Sequence, residues 1–110
     1  MAFTPYHNID GSNGVDVELL KPGDGINNIK SILITNIHAT ADATVSLFIQ
    51  DNPTAAAAST FYMLSTVAIP SDTSLLLDNS SMLSFDNSSG GYGLYMTVGS
   101  DDTINVMIRR

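Results

Sequence analysis

Two stretches constrain this chain more than anything else in it: residues 30–51, KSILITNIHATADATVSLFIQD, and residues 60–78, TFYMLSTVAIPSDTSLLLD. Each reads as two apolar, β-branched runs of strand length separated by a short turn. The turn is 39–43 in the first and Pro70-Ser71-Asp72 in the second. Val, Ile and Thr are stiff at χ1, which disfavours them in a helix, and with aromatic residues they fit a pleated, half-buried surface. The two stretches resemble each other because both are hairpins, and no repeat of about 20–50 residues runs through the chain.

The rest of the chain continues the plan. Residues 15–20 (VDVELL) alternate apolar and acidic side chains, as a half-buried strand does, and 21–25 (KPGDG) form a strong turn. In 29–37, Ile29, Leu33 and Ile37 share one face and Ile32 and Ile34 the other. This predicts a central strand buried on both sides. Residues 44–50 place Val45, Leu47 and Ile49 inward, and four alanines at 55–58 make a bland connection too short to hold as a helix. Further strands follow at 61–67 and 73–77, with a short strand or edge segment at 82–85. Residues 86–91 (DNSSGG) read as the most flexible loop. Tyr92, Leu94, Met96 and Val98 alternate strictly, as do Ile104, Val106 and Ile108, with a tight hairpin over 99–102. Seven or eight short strands without an amphipathic helix predict an all-β fold, an antiparallel sandwich of immunoglobulin-like or jelly-roll type. Residues 15–110 form that single domain, and 1–14, without periodicity and holding Pro5, Gly11 and Gly14, read as an irregular arm.

Composition agrees. A chain of 110 residues is one domain of ordinary size. Ten of its eleven acids are Asp, with Glu18 the exception, and Asp, Asn, Ser and Gly are turn formers. The net charge of −7 argues against a phosphate-backbone partner, so nucleic acid is not expected. There is no cysteine, hence no disulfide and no thiolate metal site. No apolar run approaches the roughly 18 residues of a membrane helix, and the opening MAFTPYHNIDGSNG lacks the basic and apolar regions of a secretory signal. The expectation is a chain made in the cytoplasm, with no membrane partner.

Candidate chemistry is sparse. A hydrolytic triad needs a base touching both nucleophile and orienting acid, and only His7 and His38 could serve. Both read better as turn or interface residues, so no catalytic residue and no enzyme are expected. Asp101-Asp102 is the only adjacent carboxylate pair and reads as a solvated hairpin. Calcium favours loop oxygens, which makes Asp86, Asn87, Asp101 and Asp102 weak candidate ligands without the spacing of an EF-hand loop. No cofactor is expected. Tyr92 and Tyr95 with Phe61 and Tyr62 offer a possible sugar-stacking platform, although Tyr equally serves cores and subunit interfaces.

The segments TNIHATADATVSLFIQ, FYMLSTVAIPSDTSLLLD and YGLYMTVGSDDTINVMIRR together resemble the small β-sandwich virion proteins of tailed bacteriophages, closest to those of cyanophage-like contractile-tailed phages. The resemblance covers about 80 residues and is architectural. It implies a non-enzymatic structural component of a virion, such as capsid decoration or cement, neck, tail or fibre accessory protein. Such a component acts by self-association and by docking to a major capsid, neck or tail protein. It brings no catalytic residues. An ordered terminal arm and exposed edges would make the contacts, with the edges at 15–20 and 82–85. Phe3, Tyr6, His7, Ile9, Arg109 and Arg110 are the expected interface residues, from the arm and the last strand. The alternative is a ligand-binding sandwich recognising a host glycan, stabilised by calcium. A third reading is an isolated immunoglobulin-like domain of a bacterial enzyme or surface protein.

Overall fold

Eight strands account for all the regular structure in the computed structural model, which describes residues 5–11, 16–26, 28–38, 40–51, 59–99 and 102–110. They are β1 (Tyr6–Asp10), β2 (Asp16–Leu20), β3 (Ser31–Asn36), β4 (Ala43–Gln50), β5 (Thr60–Ile69), β6 (Ser74–Leu77), β7 (Gly93–Val98) and β8 (Thr103–Arg109). Two antiparallel four-stranded sheets pack face to face, ordered β1-β8-β3-β6 and β2-β7-β4-β5. The fold is an all-β sandwich.

The pairing follows one rule. β1 lies on β8, β2 on β7, β3 on β6 and β4 on β5, so that each strand partners its mirror image in the chain. Two further pairs, β3 with β8 and β4 with β7, knit the halves into sheets. The chain is thus one long hairpin, doubled back between β4 and β5 and rolled until its arms lie in two layers.

Alternation decides what each layer buries. Ile32 and Ile34 of β3, Ile104, Val106 and Ile108 of β8, Val45 and Leu47 of β4, and Leu94 and Met96 of β7 turn between the sheets and are at most 3% exposed. Removing each such side chain from water is worth about 1.5–3 kcal/mol. Loops add Ile26, Ile29 and Leu83 as lids at the strand ends. A bulge in β5, with Thr66 at φ 53° and its N–H donated to Ser46 Oγ, lets the longest strand follow the twist of β4.

Several expectations need correction. Within the supposed irregular arm, Tyr6–Asp10 is a strand with full register on β8. It escapes sequence reading because Ile9 is its only fully buried residue. The other described end of the expected contact set fares differently. β8 lies between β1 and β3, so its edges are both occupied and only its last residues are open. The segment 82–85 is no strand: a turn over 80–83, with Leu83 N–H bonded to Asn79 O, takes its place, and the edges are β1, β2, β5 and β6, of which β2 was expected. β3 is central, as expected, but buried on one face only. Leu33 is half-buried and Ile37 is 43% exposed. The loop 86–91, read as the most flexible, is held by Gly91 N–H to Ser88 O and Tyr92 N–H to Asp86 O.

Candidate functional site

Two buried asparagines organise opposite ends of the sandwich. Asn36 donates from Nδ2 to the carbonyls of Ala41 and Ile69 and accepts from His38 N–H, joining the β3–β4 and β5–β6 connections. Asn87 donates to the carbonyls of Lys21 and Tyr92 and accepts from Ile26 N–H at Oδ1, while its own carbonyl takes the N–H groups of Gly23 and Gly25. Each is 0% exposed, and a buried amide is tolerated only with its hydrogen bonds made.

These contacts decide several candidate sites. Asn87 points its side chain into its own loops. Asp86 accepts from Ser88, and those hydrogen bonds, side chain first and backbone second, hold its carboxyl below the ordinary range. Asp102 accepts from Thr44 N–H and stands at the far end of β7, six residues or about 20 Å away. Asp86, Asn87 and Asp102 therefore do not converge on one cation, and Asp101 lies outside the described residues. No group of three or more metal-ligating side chains occurs among the described residues. His38 Nδ1 accepts from the N–H groups of Thr40 and Ala41, which makes it a turn residue, as expected. His7 shares the core-side face of β1 with Ile9, and its Nε2 is buried without a hydrogen-bond partner among the described residues.

The predicted aromatic platform splits in two. Phe61 packs edge-on against Tyr92, with ring centroids 5.9 Å apart. Tyr62 and Tyr95 belong to a different row, on the outer face of the second sheet, and flank a residue that sequence reading left out. Glu18, Tyr95, Phe48 and Tyr62 are cross-strand neighbours over all four strands. Phe48 lies 5.1 Å from the Tyr62 ring and 6.1 Å from the Tyr95 ring. Tyr95 donates to Glu18 Oε2 at 3.3 Å, and burial, reinforced by that carboxylate, pushes its phenol up to about 12. Beneath it Gly93 leaves room for the ring, since a Cβ there would sit 2.8 Å from the Tyr95 hydroxyl. Phe48 and Tyr95 are nearly inaccessible while Tyr62 is 59% exposed.

The outer face of the first sheet is the more open. Tyr6, Met107, Leu33 and Leu76 stand in register across β1, β8, β3 and β6. Tyr6 is 69% and Leu76 54% exposed. The next row, Asn8, Asn105, Thr35 and Ser74, is polar but uncharged, with the Thr35 and Ser74 hydroxyls 2.9 Å apart. Between β1 and β8 runs a groove of about 270 Å³ bounded by Tyr6, Asn8, Asn105 and Met107. Of the expected interface residues, Tyr6 belongs here and Arg109 and Arg110 are exposed at one end. Ile9 is a core residue and no contact candidate, and Phe3 lies outside the described residues.

Charge differs between the two ends of the sandwich: one balances the basic residues against Asp24, Asp51, Asp78 and Asp86, and the other is acidic. Lys21, Lys30, Arg109 and Arg110 are the only Lys and Arg residues of the chain, and all four lie at the end where β2 and β8 finish and β3 begins. The other end, where β1 finishes, carries Asp10, Asp16, Asp42, Asp72 and Asp102 with no Lys or Arg. Searches against protein families, curated proteins and solved structures found no match to this chain.

Proposed function

We propose that this chain is a non-enzymatic structural component of a virion, working by self-association and by docking to a larger assembly such as a capsid, neck or tail. The observation that carries the reading is the winding. Eight strands in two sheets, each strand paired with its mirror image along the chain, support a jelly-roll reading of the sandwich, a class that builds viral capsid domains. The exposed row on the first sheet supports the same reading, because a flat, uncharged sheet face suits packing against another protein surface.

The test is mass spectrometry of density-purified particles from cells carrying the gene. The chain should co-purify with the particle through high-salt washing. A chain found only in the soluble fraction would overturn the reading.

Jelly rolls also serve as lectin domains, and one observation favours a glycan reading: the exposed Tyr62 ring beside Phe48. A glycan array with the Tyr62→Ala variant as control tests it, and signal unchanged by the substitution would remove it.

A further inference from the structure

We propose that the outer face of the β1-β8-β3-β6 sheet is the contact between two copies of this chain, packed face to face with the two-fold axis along the row Tyr6–Met107–Leu33–Leu76. The proposal rests on the assembling role given above and names the surface that carries it.

Charge selects the face. A chain of net charge −7 repels its own copies, and the two central rows of this sheet hold no ionised side chain. The apolar row on the axis meets its own copy without stripping water from a carboxylate, which is costly at a protein contact. Across the axis the Asn, Thr and Ser row of each copy lies opposite Ser31 and Arg109 of the other, so a guanidinium meets neutral hydrogen-bonding groups there.

Charge also selects the orientation. A two-fold axis along the strands would set the Asp-rich end of each copy beside that of the other. An axis along the apolar row reverses one copy. It brings the end bearing Lys30, Arg109 and Arg110 against the second copy's end bearing Asp10 and Asp72. The arrangement is isologous: Leu76 meets Leu76 and Tyr6 meets Tyr6.

Size sets the strength. Four strands at about 4.8 Å spacing, and about 20 Å long, present roughly 400 Å² of projected area per copy. That is about 800 Å² for the pair, short of the roughly 1,000 Å² of a stable contact, so the dimer is weak and forms only at high concentration.

Sedimentation velocity on the full chain, from low micromolar to the highest soluble concentration, tests the proposal. The wild type should pass from monomer to dimer. Leu76→Lys should remain monomeric with an unchanged circular dichroism spectrum, and Tyr62→Ser on the opposite face should dimerise as the wild type does. Because the chain has no cysteine, a Leu76→Cys variant supplies a single thiol. A bis-maleimide spanning about 10 Å, the distance between packed sheets, should couple two Leu76→Cys copies. Added salt should weaken the dimer. A wild type monomeric throughout overturns the proposal and leaves the face to another partner. A dimer that survives Leu76→Lys, or is lost with Tyr62→Ser, also overturns it. Coupling only when Tyr6→Cys and Leu76→Cys copies are mixed overturns the orientation. Presence in particles is measured separately, so a monomer found in particles would defeat this face and spare the structural role.

Discussion

On the outer face of one sheet Tyr95, Phe48 and Tyr62 stand side by side, and only Tyr62 is substantially exposed. On the outer face of the other, Tyr6, Met107, Leu33 and Leu76 also stand side by side, yet both ends of that row are more than half exposed. The two rows are alike in length and apolar character. The aromatic row is closed by rings that tilt over one another, by the Glu18 hydrogen bond and by a glycine that lets Tyr95 lie close to the sheet. In the open row Tyr6, Met107, Leu33 and Leu76 offer no such mutual cover. A cross-strand apolar row is therefore no sign of an interface in itself. What distinguishes the two is whether the row completes its own burial.

The difference can be broken by substitution, and Phe48→Ala should have the largest effect. It removes the middle ring of the closed row and should cost about 3 kcal/mol in urea unfolding. A cost below that of an exposed leucine would erase the distinction between the faces. Gly93→Ala comes next. Its Cβ would stand 2.6 Å from the Leu20 carbonyl and 2.8 Å from both Pro22 Cδ and the Tyr95 hydroxyl. An expected loss of about 2 kcal/mol follows from overpacking against backbone, and near-UV circular dichroism should report a displaced tyrosine.

The third prediction concerns pH. With the Tyr95 phenol raised from 10.0 to about 12, the folded state holds the proton more tightly than the unfolded state. This contribution is fully present below pH 10 and is lost as pH rises toward 12. Screening at the exposed Glu18 limits it to about 1–2 kcal/mol. Melting curves across that window should fall more steeply for the wild type than for Tyr95→Phe, and parallel slopes would show that the hydroxyl is not closed in. The smallest effect belongs to the open row. Leu76→Ala should change unfolding free energy by less than about 0.5 kcal/mol, since the isolated domain gains little from that side chain.

Sequence patterning makes the middle of the molecule legible. β3, β4, β7 and β8 announce themselves because their core residues recur at every second position, as Ile104, Val106 and Ile108 do. β1 does not. Its alternation rests on Ile9 and a half-buried His7, and its partner residues are about a hundred positions away, so nothing local signals the pairing. The segment 82–85 misleads for the opposite reason, because Met82, Leu83 and Phe85 look like a strand although Leu83 and Phe85 reach the core from a turn and the irregular backbone after it. Asn36 and Asn87 are illegible, since asparagine is equally at home in a solvated turn and only burial tells the two uses apart. As for the candidate surfaces, Tyr6 was reachable as an exposed aromatic near the start of the chain. Phe48 was not, because its row joins Tyr62 of the next strand to Tyr95 of β7, a pairing that nothing local signals.

The mirror-image pairing also governs timing. The open face draws Tyr6 from the first strand and Met107 from the last, so it does not exist until the chain has been synthesised to its eighth strand and the two have met. Pairings this remote form slowly, late in the search for the native state. A growing polypeptide, or one halted partway, lacks this face. On the proposed contact, association is therefore reserved for chains whose last strand has paired with the first, and the connectivity itself acts as the inspection step.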